Sequence, residues 1–277
     1  NHEYDPDFLA MLQVAEGKPE RRMGDSLVPA EDPDWRRVRD LAIALLGRSK
    51  DSRAAVLLTR AELQIRGMPG LKQGLELMAG LLSRFWSDLH PQLDPDEGSD
   101  PSARVNVLLD LCGLDTLLKP LRATPLIHSR IFGEVTYRDI EALKSSGSAP
   151  SETQQQDAAK VTGAFQDCDL DELRAVTRDV AGALAEACAL DQALAEHIPP
   201  QSMPDLSPLT DLLSSIHGVL ETRLDERQPP LDVDSAIVSA ADTVARDSSG
   251  VRLAAMSAQI SSREYVLRAL DRIGDYY

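Results

Sequence analysis

Residues 49–109 read SKDSRAAVLLTRAELQIRGMPGLKQGLELMAGLLSRFWSDLHPQLDPDEGSDPSARVNVLL. Within them Leu71, Leu75, Met78, Leu82, Phe85, Trp86 and Leu89 recur mostly at steps of three and four. That is one face of a 3.6-residue helix over 69–89. Pro69 suits its first turn, where a missing N–H is harmless, and Pro91 stops the run. The preceding helix, about 51–66, places Ala54, Leu57, Leu58, Ala61 and Ile65 on one side. Asp51 can cap its start and Gly67 its end. The link Gly67-Met68-Pro69 is so short that the two helices must pack antiparallel.

Working outward, Asp32-Pro33 predicts a cap and first turn, followed by a stripe of Trp35, Val38, Ala42, Leu45 and Leu46. Asp100-Pro101 repeats the device before Val105, Leu108, Leu109 and Cys112. Each buried Leu or Phe contributes about 1.5–3 kcal/mol, so four such stripes are enough to close a helical core with Trp86 inside it. Upstream, Asp5-Pro6-Asp7 opens a short helix that Gly17 closes, and a loop follows through Met23-Gly24-Asp25. Downstream, Leu114, Leu117, Leu118 and Leu121 precede Pro125. Segments 126–128 and 133–136 then form a small β-hairpin, which must lean on the helices to be stable. A short helix over 137–143 completes the region.

These patterns predict an all-α protein: an antiparallel helical bundle core with a small β-hairpin and an additional helical hairpin. The expected organisation is a helical domain over 1–144, a Ser/Gly/Pro-containing flexible linker at 145–151, and a helical extension over 152–227. In the extension, a helix near 152–166 carries Ala158, Val161 and Phe165. A long helix has Leu173, Val180, Ala187 and Leu194 at sevens, and Leu209, Leu212, Leu213, Ile216, Leu220 and Leu224 run back along it. The 152–166 helix is a candidate third member of that bundle. Whether the extension packs on the first core is not set by these patterns. Residues 228–260 read as a linker. At 261–277, Ser261-Ser262-Arg263-Glu264 is a capping box opening an amphipathic helix with Tyr265, Val266, Leu270, Ile273 and Tyr277. That helix cannot bury its apolar face unaided. A chain starting at Asn1 and stopping at Tyr277 is expected to be a piece of a longer protein.

Composition narrows function by exclusion. Lys and Arg number 29 against 45 Asp and Glu, a formal net charge of −16. This argues against nucleic acid, which demands a basic footprint. Aromatics at 4% leave little for stacking on single strands. Basic protein surfaces are the more natural partners. Cys112, Cys168 and Cys188 contain no CxxC pair, as expected of a reducing compartment. No apolar run approaches the length of a membrane span.

No catalytic apparatus is legible. GxSxG, HExxH, GxGxxG and a Walker-type phosphate loop are missing from the sequence. The histidines, His2, His90, His128, His197 and His217, never fall at i, i+4, so neither metal nor cofactor is expected. The loop 94–100 (Asp94-Pro95-Asp96-Glu97-Gly98-Ser99-Asp100) fails the EF-hand pattern, because Gly98 falls at position 5 and Val105 at position 12. Its carboxylates could serve a hydrolase only with an apolar setting to tune them, and none is evident.

The stretch from Ser49 onward resembles the core of the ImpA N-terminal domain, shared by the TssA subunits of type VI secretion. YDPDF at residues 4–8, GKPERRMGDSLVPAEDPDW at 17–35 and FGEVTYRDIEAL at 132–143 agree in order with the same family. The terminal SSREYVLRALDRIGDYY resembles the entry to its C-terminal assembly region. The resemblance implies a cytoplasmic, non-enzymatic scaffold of a contractile injection machine in Gram-negative bacteria. It would contact baseplate, tube and sheath subunits, with the membrane complex a further candidate, and recruit or prime tail assembly. Self-association would run through the C-terminal region, here cut off after Tyr277, with Tyr265, Val266, Leu270, Ile273 and Tyr277 as the start of the assembly helix. The family offers no catalytic, cofactor or metal residues. Candidate partner contacts are Arg130, Phe132, Tyr137 and Arg138, against the alternative that Phe132 and Tyr137 pin the hairpin to the core. A generic acidic helical adaptor and a hydrolase using the 94–100 carboxylates are the competing readings.

Overall fold

The computed structural model describes residues 4–18, 21–23, 26–93, 98–144 and 152–227. The expected linkers at 145–151 and 228–260, and the 261–277 helix with Tyr265, Val266, Leu270, Ile273 and Tyr277, lie outside the described residues.

Helix α1 (Pro6–Glu16) starts at an Asp5 cap whose side chain accepts from the Asp7 N–H, and ends at Gly17. Helix α2 (Trp35–Leu46) follows. Its cap is Asp34, which accepts from the Arg37 N–H, rather than the Asp32 expected from the Asp32-Pro33 pair. An Asx cap must reach N–H groups two or three residues on, and only Asp34 stands at that distance from the first free ones. Between α1 and α2, strands β1 (Arg21–Met23) and β2 (Ser26–Val28) pair antiparallel where a loop was expected. Two three-residue strands are too short to show alternation in sequence.

Helices α3 (Ser52–Arg66) and α4 (Met68–Phe85) form the predicted pair, hinged on Gly67 at φ 69°. This left-handed backbone both ends α3 and starts α4. The two approach so closely that a Cβ at Gly74 would lie 2.6 Å from the Thr59 Oγ1. The α-helix ends at Phe85, and Trp86–Asp88 tighten into a 3₁₀ turn. Phe85, expected in the core, is 37% exposed, with the Lys50 ammonium 4.7 Å above its ring. The earlier end of the helix turns that position outward.

Helix α5 (Ser102–Leu109) is opened by Asp100, whose carboxylate accepts from both the N–H and the hydroxyl of Ser102. Leu109, expected on its buried stripe, faces solvent, while Arg104 is 1% exposed. After a π-helical turn (Leu114–Leu118) and α6 (Lys119–Ala123), strands β3 (Pro125–Ser129) and β4 (Gly133–Thr136) make the expected hairpin, with Ile127 opposite Val135. Helix α7 (Tyr137–Lys144) follows directly.

Helices α8 (Glu152–Asp167), α9 (Leu170–Ala195) and α10 (Ser207–Arg227) complete the described chain. The heptad residues Leu173, Val180, Ala187 and Leu194 are fully buried. They join a continuous core with Leu71, Leu75, Met78 and Leu82, because α9 lies along α4 as well as α10. Helix α8 packs mainly on the hairpin and α7 rather than as a third member beside α9 and α10. Its contact with α10 is at their ends, where the Arg227 guanidinium donates to the Phe165 and Cys168 carbonyls at 3.1 and 2.7 Å.

A second, smaller core joins Phe8, Met11, Val38, Leu41 and Leu45 to the opposite side of α3. Helix α3 is therefore buried nearly all round, from Ala54 through Thr59 to Leu63. The fold is mostly α, with two small antiparallel sheets among the described residues.

Candidate functional site

The most recognisable string of the chain, WSDLHPQ at 86–92, builds a clasp. The guanidinium of Arg104 donates to the carbonyls of Trp86 (2.6 Å), Leu89 (2.5 Å) and Pro91 (2.7 Å), and it lies 4.6 Å from the Trp86 ring. A planar fork of N–H groups suits three converging carbonyls, which an ammonium could not satisfy in the same plane. These carbonyls follow the end of α4, where the helix dipole favours a cation. Burial pushes the Arg104 pKa below the ordinary guanidinium value. The far side of the clasp is tied to α3: the His90 N–H donates to Lys50 O, and the Ser52 N–H and hydroxyl both donate to His90 O. His197, after α9, stacks on Trp86 at 4.5 Å between ring centroids with an interplanar angle of 7°. The motif thus joins α3, α4, α5 and the end of α9. Its chemistry is structural.

The hairpin tip is the second assembly of polar groups. Ser129, 1% exposed, donates its hydroxyl to the Asp167 carboxylate at 2.7 Å and accepts from the N–H groups of Ile131 and Phe132. The hydrogen bond from Ser129, above all, holds the Asp167 carboxyl below its ordinary range. The tip backbone is therefore pinned to the end of α8. What it presents is Ile131, 74% exposed, beside exposed Arg130. A single exposed isoleucine is ordinary on a protein surface, so what marks Ile131 is its place on a tip whose backbone is held by Ser129 and Asp167.

Of the four candidate contacts, Arg130 and Arg138 are exposed. Phe132 is half-buried, its ring against Gly163, where a Cβ would fall 2.6 Å from it. Tyr137 is 4% exposed and sits in the main core, so its ring packs rather than reaching a partner. Ile131 was missed because a single isoleucine in a turn carries no periodic signal. Arg104, Ser129 and Asp167 were missed because their partners are 13 to 38 residues away.

Residues 94–97 of the acidic loop lie outside the described residues, and Asp100 is engaged in capping α5. Among the described residues, no three His, Cys, Asp or Glu side chains gather as metal ligands. The thiols of Cys112 and Cys168 are both pushed up, chiefly by burial, which lowers their reactivity. Among the described residues no helix is long and apolar enough to cross a membrane.

Comparison with known proteins gives three findings. Residues 1–113 match the family model described as ImpA, N-terminal, type VI secretion system. The chain is 38% identical over 283 residues to the type VI secretion system component TssA1 of Pseudomonas aeruginosa, covering 99% of this chain and 80% of that protein. Its fold is similar to a solved N-terminal domain, including the conserved ImpA_N region, of the TssA component from Burkholderia cenocepacia. That similarity has a TM-score of 0.63 and 23% identity, over 82% of this chain and 88% of the other.

Proposed function

Since this chain belongs to the TssA family of type VI secretion system components, we propose that it is a non-enzymatic assembly scaffold of that apparatus, acting in the cytoplasm on baseplate, tube and sheath subunits. The observation that carries the reading is the match to TssA1 along nearly the whole chain. The clasp supports it, because the carbonyls of this string are spent, through Arg104, on joining helices.

Docking runs partly through the hairpin tip. Ile131 and Arg130 are the contacts, Arg138 lies on the following helix, and Phe132 supports the tip from behind. Pinning of the tip by Ser129 and Asp167 means little conformational entropy is lost on binding. The assembly helix with Tyr265, Val266, Leu270, Ile273 and Tyr277 serves self-association of the intact protein.

Pull-down of purified baseplate, tube and sheath subunits by the full-length protein tests this, at low and at physiological salt. Retention of at least one subunit is expected, falling as salt rises. Ile131→Asp should weaken it roughly tenfold or more while leaving the melting midpoint unchanged. Retention of none of the subunits would refute the scaffold reading.

A further inference from the structure

A groove of about 1180 Å³ opens between α1, the start of α2, α3, α5 and the π-helical turn. Its floor is the buried Phe8, Val56 and Leu57. Its walls carry Trp35 and two leucines of α1, Leu9 and Leu12, which are 51% and 37% exposed. Helix α1 is thus apolar on two sides: Phe8, Met11 and Ala15 face the small core, and Leu9 and Leu12 face the groove.

The charges in the groove are unevenly committed. The two arginines inside are already engaged. Arg53 forms a bidentate contact with the Asp51 carboxylate and lies 4.4 Å above the Phe8 ring. Arg60 donates to Thr116 O at 3.1 Å and lies 5.3 Å from the Trp35 ring. Burial pushes the Arg60 pKa down, and Asp110 opposes that at longer range. The carboxylates at the mouth differ. Asp115 pairs with Lys119, whereas Glu16, Asp32 and Asp110 have no ion pair within 4 Å among the described residues. The groove is therefore apolar within and negative at its rim.

We propose that this groove receives an amphipathic α-helix from another subunit of the secretion apparatus. Its apolar side chains would lie against Leu9, Leu12 and Trp35, and its lysines or arginines against Glu16, Asp32 and Asp110. The proposal rests on the assembly reading above and names the kind of partner. Size and lining come first: at about 1180 Å³ the groove stands at the upper end of the roughly 300–1,000 Å³ of small-molecule sites, and its apolar walls suit helix-in-groove recognition by side chains at i, i+3/i+4 and i+7. Charge separates the occupants next. A second copy would bring a net charge of −16 against an equally negative surface, which costs free energy, whereas a basic helix is attracted.

The test uses the full chain and 18-residue peptides tiled over the helical segments of the other subunits, followed by fluorescence anisotropy at two salt concentrations. At least one peptide combining an apolar stripe with Lys or Arg should bind. Leu9→Asp with Leu12→Asp should weaken it roughly tenfold or more. Both leucines are exposed, so the melting midpoint should hold. Glu16→Lys with Asp32→Lys, which leaves the apolar walls intact, should weaken binding several-fold and flatten its salt dependence. Binding unchanged in both variants, or a bound set that is acidic, overturns the groove. Pull-down of intact subunits run alongside separates the two levels of argument. Subunits retained equally by wild type and groove variants sink the groove alone, and no subunit retained by wild type sinks the assembly reading. Loss of subunits only in the groove variants supports the groove even where isolated peptides do not bind, because a short helix is marginal outside its own protein.

Discussion

Replacing Arg104 by Met tests the clasp most directly. The side chain is 1% exposed and donates three hydrogen bonds to the carbonyls of Trp86, Leu89 and Pro91. At roughly 1.5–3 kcal/mol for each bond to a charged group, the gross loss is about 5–9 kcal/mol. Returning the guanidinium to water recovers several kcal/mol of this, and Met keeps an apolar stem against Trp86. The net loss expected is about 3–5 kcal/mol. In a folded unit of 227 residues this corresponds to a fall in Tm of roughly 6–20 °C. Thermal unfolding followed by circular dichroism and by tryptophan fluorescence measures it, with urea unfolding as a check on the free energy. Arg104→Lys keeps the charge but cannot fork to three carbonyls, so it should fall between wild type and Arg104→Met. A Met variant melting within about 2 °C of wild type would refute the reasoning, since the three carbonyls would then be as well served by water.

Trp86→Ala removes the ring that meets both Arg104 and His197, and should cost about 3 kcal/mol, read as a shifted urea midpoint at constant slope. Gly74→Val forces a branched side chain where even a Cβ lies 2.6–2.7 Å from Thr59, so α3 and α4 must separate at a cost of about 1–3 kcal/mol or more; a Tm no lower than wild type would contradict that close approach. Glu186, on α9, has its pKa raised by burial first and by Glu76 second, with Lys72 opposing. A carboxyl raised in the folded state is no burden below its unfolded pKa and becomes one as pH rises through the folded value. Glu186→Gln should therefore raise Tm at neutral pH, with the gain vanishing below about pH 4; a gain independent of pH would rule out ionisation as its cause.

Residues 49–109 show how much was legible. The helix pair, its Gly67 hinge and the caps at Asp5 and Asp51 obey rules that act within four residues and stand as read, whereas Asp100 lies one residue before the Pro101 cap position and holds the Ser102 N–H from there. Phe85 and Leu109 failed where a helix ended or turned earlier than its apolar stripe. The candidate contacts were half legible. Arg130 in its turn is exposed, whereas Tyr137 lies in the core, which agrees with the packing alternative weighed for it and Phe132 rather than with a partner contact.

The amino-acid sequence by itself determined most of the helices, the place of the 125–136 hairpin and the acidic character, because periodicity, capping and charge are properties of neighbouring residues. Only the tertiary structure decided that α9 shares a core with α4, that α3 lies between two cores, and that Arg104 turns inward onto three carbonyls. It alone brought Leu9 and Leu12 beside Trp35 to line a groove. Such choices depend on which apolar faces can be covered together, and on whether distant carbonyls converge closely enough to hold a buried charge. A burial free energy proportional to area is blind to sequence distance, so local pattern constrains which faces are sticky and leaves their pairing to the assembled whole.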